Sequence, residues 1–215
     1  IELAPGAGYA WARFSPAGES LLLWIWQDHL GHLLLTDLQG RTERELVSGA
    51  ADAWGEFSPD GRQIVYGIWN GRTWRVVLAA ADGTAETVLA EAVDDAQASF
   101  APNGRWLLYS LWHNGEWELV VRDLDDASER VLVSEAKFAT AEFEPENEHL
   151  LVWYIPAGQD AATLAVAEAA SGRRIALAQN VTAAAGAFAR NGETLAVALQ
   201  PATGASPSVF VANAD

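Results

Sequence analysis

"FSPDGRQIVYGIW", residues 57–69, joins a turn-forming pentapeptide to a run of apolar and aromatic residues. Its opening returns as "FSPAG" at 14–18 and "FAPNG" at 100–104, and more loosely as "FEPEN" at 143–147 and "FARNG" at 188–192. Phe14, Phe57, Phe100 and Phe143 stand 43 residues apart, and Phe188 comes after a further 45. A period of this size marks a repeat architecture and has to be settled before any local motif is interpreted. Two more columns keep the register. Ala10, Ala53, Ala96, Ala139 and Ala184 stand four residues before each Phe, and Leu3, Leu46, Leu89, Leu132 and Leu177 stand eleven before it. The chain is five copies of one unit.

Each copy reads as four short strands. In the second copy these are "DAWGEF" (52–57), "QIVYGIW" (63–69), "RVVLAAA" (75–81) and "TVLAEA" (87–92). Runs rich in Val, Ile, Leu and aromatics between Gly and Pro turns suit β structure. The second strand is apolar almost throughout, so it is buried on both faces. Small sheets stacked face to face around an axis, the blades of a propeller, meet that demand. The last copy stops at "SVFVANAD" (208–215), after its third strand, while the N-terminal "IELAPGAG" aligns with the fourth-strand segment "RELVSGAA" (44–51). The pattern predicts an all-β fold, one domain over residues 1–215. It is read as a five-bladed β-propeller of four-stranded blades, closed by Ile1 to Ala4 completing the last blade and removing an open sheet edge there. The alternative is a piece of a six- to eight-bladed ring.

The pentapeptide has a mechanical reading. Ser58-Pro59-Asp60-Gly61 fits a type I turn, with Pro fixing φ at the second position and Gly at the fourth. Across the copies the Asp column reads Ala17, Asp60, Asn103, Glu146 and Asn191. Turn competence persists and the carboxylate does not, which argues for a corner and against a metal or catalytic site.

"FSPDGR" with "QIVYGIW" after it resembles the WD40-like PD40 repeat of TolB-type bacterial β-propellers. The resemblance extends over all five units. It is strongest in "AWGEFSPDGRQIVYGIW" (53–69) and weakest in "AEFEPENEHLLVWY" (141–154) and "GAFARNGETLAVAL" (186–199). It implies a propeller whose relatives serve as protein-docking modules, periplasmic envelope components or gating domains of serine peptidases. An extracytoplasmic bacterial location is likewise implied by the resemblance. Five blades would be fewer than that family usually has.

Composition narrows the function. Twenty-nine acidic against 13 basic residues leave a net charge of −16, which opposes a nucleic-acid surface and electrostatic attachment to anionic lipid. The chain has no cysteine, so disulfides and thiolate chemistry are excluded. No run reaches the roughly 20 apolar residues of a membrane-spanning helix. There is also no methionine, which suggests a processed, excised or engineered piece.

Aromatic residues collect at the end of each unit opposite the pentapeptide turns. Trp11 and Trp54 share one column; Trp26, Trp69 and Trp112 share another at the end of the second strand; Trp74 and Trp117 begin the third. Asp52, Asp94 and Asp95 stand in the connections into the first strand, near the expected channel mouth. Indole faces beside carboxylates hold cationic or amphipathic groups, lysine and arginine side chains among them, and also stack on sugars. The competing reading is packing between blades. Against it, the Trp11 and Trp54 column continues as Gln97, Thr140 and Ala185, and the Trp26 column as Ile155 and Gln200, an asymmetry that packing alone does not demand.

Catalytic motifs are sparse. His29 and His32 approach one another without the further ligands of a zinc site, no G-x-S-x-G elbow occurs, and no pair of carboxylates stands at a fixed spacing. The sequence therefore points to a non-catalytic binding module without cofactor or metal. Its partner is read as a protein or peptide held by Trp11, Trp54, Trp26, Trp69, Trp112, Asp52, Asp94 and Asp95. The alternatives are a small-molecule or saccharide binder, a glycoside hydrolase with channel carboxylates, and a scaffold without activity of its own.

Overall fold

In the computed structural model, residues 2–3, 6–145, 149–189 and 194–213 are described. They form two compact units, 1–99 and 100–215, and all their regular structure is β-strand. No helix among them is long and apolar enough to cross a membrane.

The first unit contains two four-stranded antiparallel sheets. One is built from β1 (Tyr9–Phe14), β2 (Ser20–Gln27), β3 (Leu30–Asp37) and β4 (Thr42–Ala50), the other from β5 (Asp52–Phe57), β6 (Gln63–Trp69), β7 (Trp74–Ala80) and β8 (Thr87–Val93), each in chain order. Strand β9 (Asp95–Phe100) contains the boundary between the units. In the second unit, β10 (Trp106–His113), β11 (Glu116–Asp123), β12 (Glu129–Phe143), β13 (His149–Pro156), β14 (Ala162–Glu168), β15 (Arg174–Phe188), β16 (Thr194–Pro201) and β17 (Ser208–Asn213) hydrogen-bond in chain order. The repeating phenylalanines end β1, β5, β9, β12 and β15, so the 43-residue period is the period of the strands.

One expectation needs correction. The fourth strand of one copy and the first strand of the next are not always separate: β12 and β15 are each 15 residues long and serve both roles. Among the described residues no N-terminal strand is formed. Glu2 and Leu3 lie outside any strand, β17 is the last strand of its sheet, and no sheet closes on itself. Ile1 and Ala4 are outside the described residues. Gly6 has a φ of 78°.

That glycine belongs to a column. Gly6, Gly49, Ala92, Glu135 and Asn180 all have positive φ, between 53° and 78°. The pairing register slips beside the last four, at Gly31/His32, Trp74/Val76, Trp117/Leu119 and Ala162/Leu164. This is the geometry of a bulge whose first residue is left-handed, which bends one strand and re-aims the residues after it. The bulge carries the chain from the outer strand of one repeat into the inner strand of the next.

Packing inside each unit is tight enough to require glycine. A Cβ on Gly55 would lie 2.7 Å from Leu22 Cδ2, and in the second unit Gly186 leaves no room for one beneath Leu151, the repeat equivalent of Leu22. Leu22, Trp24, Ala53, Ile64 and Tyr66 make the core between the first two sheets. Leu108, Leu119, Leu132, Leu150 and Val152 make one core of the second unit, and Leu151, Leu164, Val166, Leu195 and Val197 another. Ser58 is fully buried at the corner of the FSPDG turn. Its hydroxyl donates to Asp60 at 2.6 Å and accepts from the Gln63 N–H at 2.9 Å, while Gly61 N–H donates to the Ser58 carbonyl. Burial acts to raise the Asp60 pKa, but hydrogen bonds from Ser58 and the Arg62 N–H outweigh it and hold the carboxyl below its usual range. The turn uses its own carboxylate.

Ala92 and Glu135 occupy a left-handed position that costs a side-chain-bearing residue about 1–2 kcal/mol, against about 0.5–1 kcal/mol of chain entropy for glycine. Both side chains are exposed. Glu135→Gly and Ala92→Gly should therefore each stabilise the protein by about 0.5–1 kcal/mol, whereas Gly49→Ala should destabilise it. Denaturant unfolding of the three variants checks this.

Candidate functional site

Strands β1, β5 and β9 are the first strands of three successive repeats, and the cavity of the first unit lies along them. It has a volume of about 630 Å³ and is lined by Tyr9, Trp11, Arg13, Trp54, Glu56 and Gln97, with small residues between. Side chains alternate along a strand, so Trp11 and Arg13 share one face of β1 while Trp54 and Glu56 share the matching face of β5. Two indoles, one guanidinium, one carboxylate and one amide thus line a single concavity.

Trp54 is positioned by the residue opposite it. It pairs with Gly67 across β5 and β6, and its indole lies so close over Gly67 that a Cβ there has no room. Trp54 Nε1 is buried there without a hydrogen-bond partner, a cost the ring accepts in order to lie flat on the backbone. Trp11 pairs with Trp24 across β1 and β2 and packs against the core between the two sheets. Both tryptophans are half-buried, so each offers part of its surface to the cavity.

The other sequence-derived residues are placed differently. Trp26 is half-buried against the core of the first unit, and its carbonyl accepts from the Gly8 N–H at 2.9 Å. Trp69 faces Trp74 across a hairpin with ring centroids 5.5 Å apart, and in the second unit Trp112 faces Trp117 at 5.4 Å. Tilted pairs of this kind contribute about 0.5–1.5 kcal/mol beyond the area they bury. Asp52 and Asp95 each turn one carboxylate oxygen back to the backbone N–H of the next residue, at 2.8 Å in both cases. Asp94 is exposed. Of the eight residues, only Trp11 and Trp54 line the cavity.

Arg13, Glu56 and Tyr9 were not singled out from the sequence. The available signal was the two-residue alternation of the inner strand, which puts Arg13 and Glu56 on the same face as the Trp column. His32, Glu45 and Ser48 also meet, on β3 and β4. Glu45 and Ser48 both approach His32 Nδ1, at 2.7 and 3.5 Å. A relay from base to nucleophile uses the two ring nitrogens separately, so this group is not a hydrolytic triad. Among the described residues no three His, Asp or Glu side chains gather as metal ligands.

No protein-family model and no curated protein matches the chain. Solved structures do. TolB from Acinetobacter baumannii is similar, with TM-score 0.54 and 14% identity over 95% of this chain and 54% of that one. The β-propeller domain of the Trilobed protease from Pyrococcus furiosus, which has an open velcro topology, gives TM-score 0.62 and 13% identity over 95% of this chain and 69% of that domain. Puromycin hydrolase gives 0.59 and 19% over 94% of this chain and 36% of that enzyme. The fold is therefore that of a β-propeller similar to TolB. The chain spans about half the length of that TolB structure.

Gly67→Ala tests the geometry of the site. The added methyl has to displace the Trp54 ring, and overpacking of this kind costs about 1–3 kcal/mol. Thermal unfolding should show that loss together with a changed Trp54 indole N–H resonance. A stable Gly67→Ala with an unmoved resonance would refute the placement.

Proposed function

We infer that this chain is a non-catalytic interaction module that binds a protein or peptide segment at the cavity along β1, β5 and β9. The observation that carries this reading is the joint lining by Trp11 and Trp54, with Arg13, Glu56 and Gln97 beside them. Aromatic and arginine side chains dominate the energetics of protein recognition. A cation, an anion and an amide between two indoles suit a polypeptide, which carries groups of both signs together with amide dipoles. A glycosidase needs two positioned carboxyl groups, and Glu56 is the one carboxylate among the described lining residues. Trp26, Trp69 and Trp112 are assigned to packing, and Asp52, Asp94 and Asp95 to the rim.

The reading extends to the whole chain as one five-bladed propeller closed at the N-terminus. Leu3 packs on Gly40 as Leu46 packs on Gly83, 43 residues on, and Leu132 approaches Gly172 in the second unit. Gly8 N–H bonds the Trp26 carbonyl as Ala51 N–H bonds that of Trp69. The N-terminal stretch thus carries the contacts of a fourth strand's end. Apolar residues are exposed towards both chain ends: Phe14 is 67% exposed where Phe100 is 9%, while Val209 and Val211 are 74% and 72% exposed on β17. Each end sheet lacks a cover of the kind the other could supply.

Peptide-array screening followed by titration tests the binding site. Trp11→Ala and Trp54→Ala should each weaken a selected peptide by about 30-fold, the loss of a hot-spot residue, while Trp69→Phe leaves it unchanged. Selection of glycans alone would favour the saccharide reading. Hydrogen exchange tests closure: in a closed ring, successive amides of 208–213 are protected, while in an open edge alternate ones exchange fast.

A further inference from the structure

The second unit has a cavity of its own, about 240 Å³, between the inner half of β12 and that of β15. The repeat explains why it is open. Thr140 pairs with Trp153 at the position where Trp11 pairs with Trp24 in the first sheet. Trp24, with Trp11 against the same core, is 1% exposed, but Trp153 is only half-buried. A threonine carries too little surface to cover an indole. Strand β15 adds no bulk, since Ala184, Ala185 and Gly186 stand where β1 has Ala10, Trp11 and Ala12. The floor is apolar, made by the buried Leu151 and Leu164 beside Trp153.

Among the described lining residues one is charged. Glu142 stands two residues from Thr140 and so on the same face of β12; it is exposed and takes no hydrogen bond or ion pair from the described residues. The combination is an apolar slot with an indole wall and a carboxylate at its wet end. The slot holds the equivalent of about eight waters at their share of liquid volume, enough for a short aliphatic chain. An uncharged alkyl group would leave the carboxylate unused, and an acid would be repelled by it. A carbon stem ending in a cation uses every wall, with the stem on the apolar floor and the charged head in water.

We propose that this cavity is a binding site for a primary alkylammonium group, the chemistry of a lysine side chain. The stem lies along Trp153 between Leu151 and Leu164, and the ammonium pairs with Glu142. This site is independent of the cavity in the first unit and stands or falls separately from the peptide-binding reading.

The test is titration of the full ¹⁵N-labelled chain with n-butylammonium, n-butanol and butyrate, followed through the Trp153 indole N–H, which Trp153→Phe assigns. The ammonium should saturate that resonance with a Kd on the order of millimolar for a ligand of about five heavy atoms, tighter than the alcohol, with butyrate not binding. Glu142→Gln should weaken the ammonium about three- to fivefold, as expected for an exposed ion pair, and leave the alcohol unchanged. Thr140→Trp, which restores the arrangement of the first sheet, should abolish both. Circular dichroism of the two variants confirms that they are folded. A lysine-containing peptide that binds as well as the free amine makes a polypeptide the source, and binding of the free amine alone makes it a small metabolite amine. No saturation by butylammonium, equal binding of alcohol and ammonium, or indifference to both Glu142→Gln and Thr140→Trp in folded protein would overturn the proposal.

Discussion

Leu22 rests on the bare backbone of Gly55, and that contact shows what stacking demands of this chain. A four-stranded sheet whose second strand is apolar on both faces cannot stand alone in water; it needs a sheet on either side. Face-to-face packing at this distance requires small residues under large ones, hence Ala53 and Gly55 beneath Leu22 and Trp24 in the first unit, and Ala184 and Gly186 beside Leu151 in the second. The Ala column in the sequence is the trace of that requirement. Where no described sheet covers the face, as at Ala10 and Phe14, the same column is exposed.

Once the sheets have to stack, the connection between them becomes the second determinant. Each repeat delivers its chain from an outer strand to the next inner strand through one left-handed residue. The position tolerates Gly, Ala, Glu and Asn. Its tolerance of Ala92 and Glu135 shows that surrounding packing imposes the conformation, since neither residue favours it alone. In β12 and β15 the two strands joined this way run on as one, which separates a repeat in sequence from a strand in space.

Function-bearing variation sits on the inner strands of this scaffold. Along the inner strands one position reads Trp11, Trp54, Gln97, Thr140 and Ala185, and the position two residues on reads Arg13, Glu56, Ser99, Glu142 and Ala187. Most of these side chains line the cavities of the two units, so residue differences there change the chemistry each cavity offers. A fold shared with TolB and with puromycin hydrolase leaves function to such positions.

The repeat, its period, the four-strand pattern and the role of FSPDG as a corner are all legible in the residues, because each rests on local alternation and turn chemistry. The residues also mark Trp11 and Trp54 as unlike a pure packing column. Folding decides which tryptophans face a cavity: Trp69 and Trp112, candidates of another column in the sequence, each have one face occupied by a cross-strand indole. Only the fold shows that Gly67 makes room for Trp54, that Arg13 and Glu56 share its cavity, and that a threonine at 140 uncovers Trp153. Periodicity says which side of a strand a residue occupies. What stands opposite it belongs to another strand, and that distance closes only when the chain is folded.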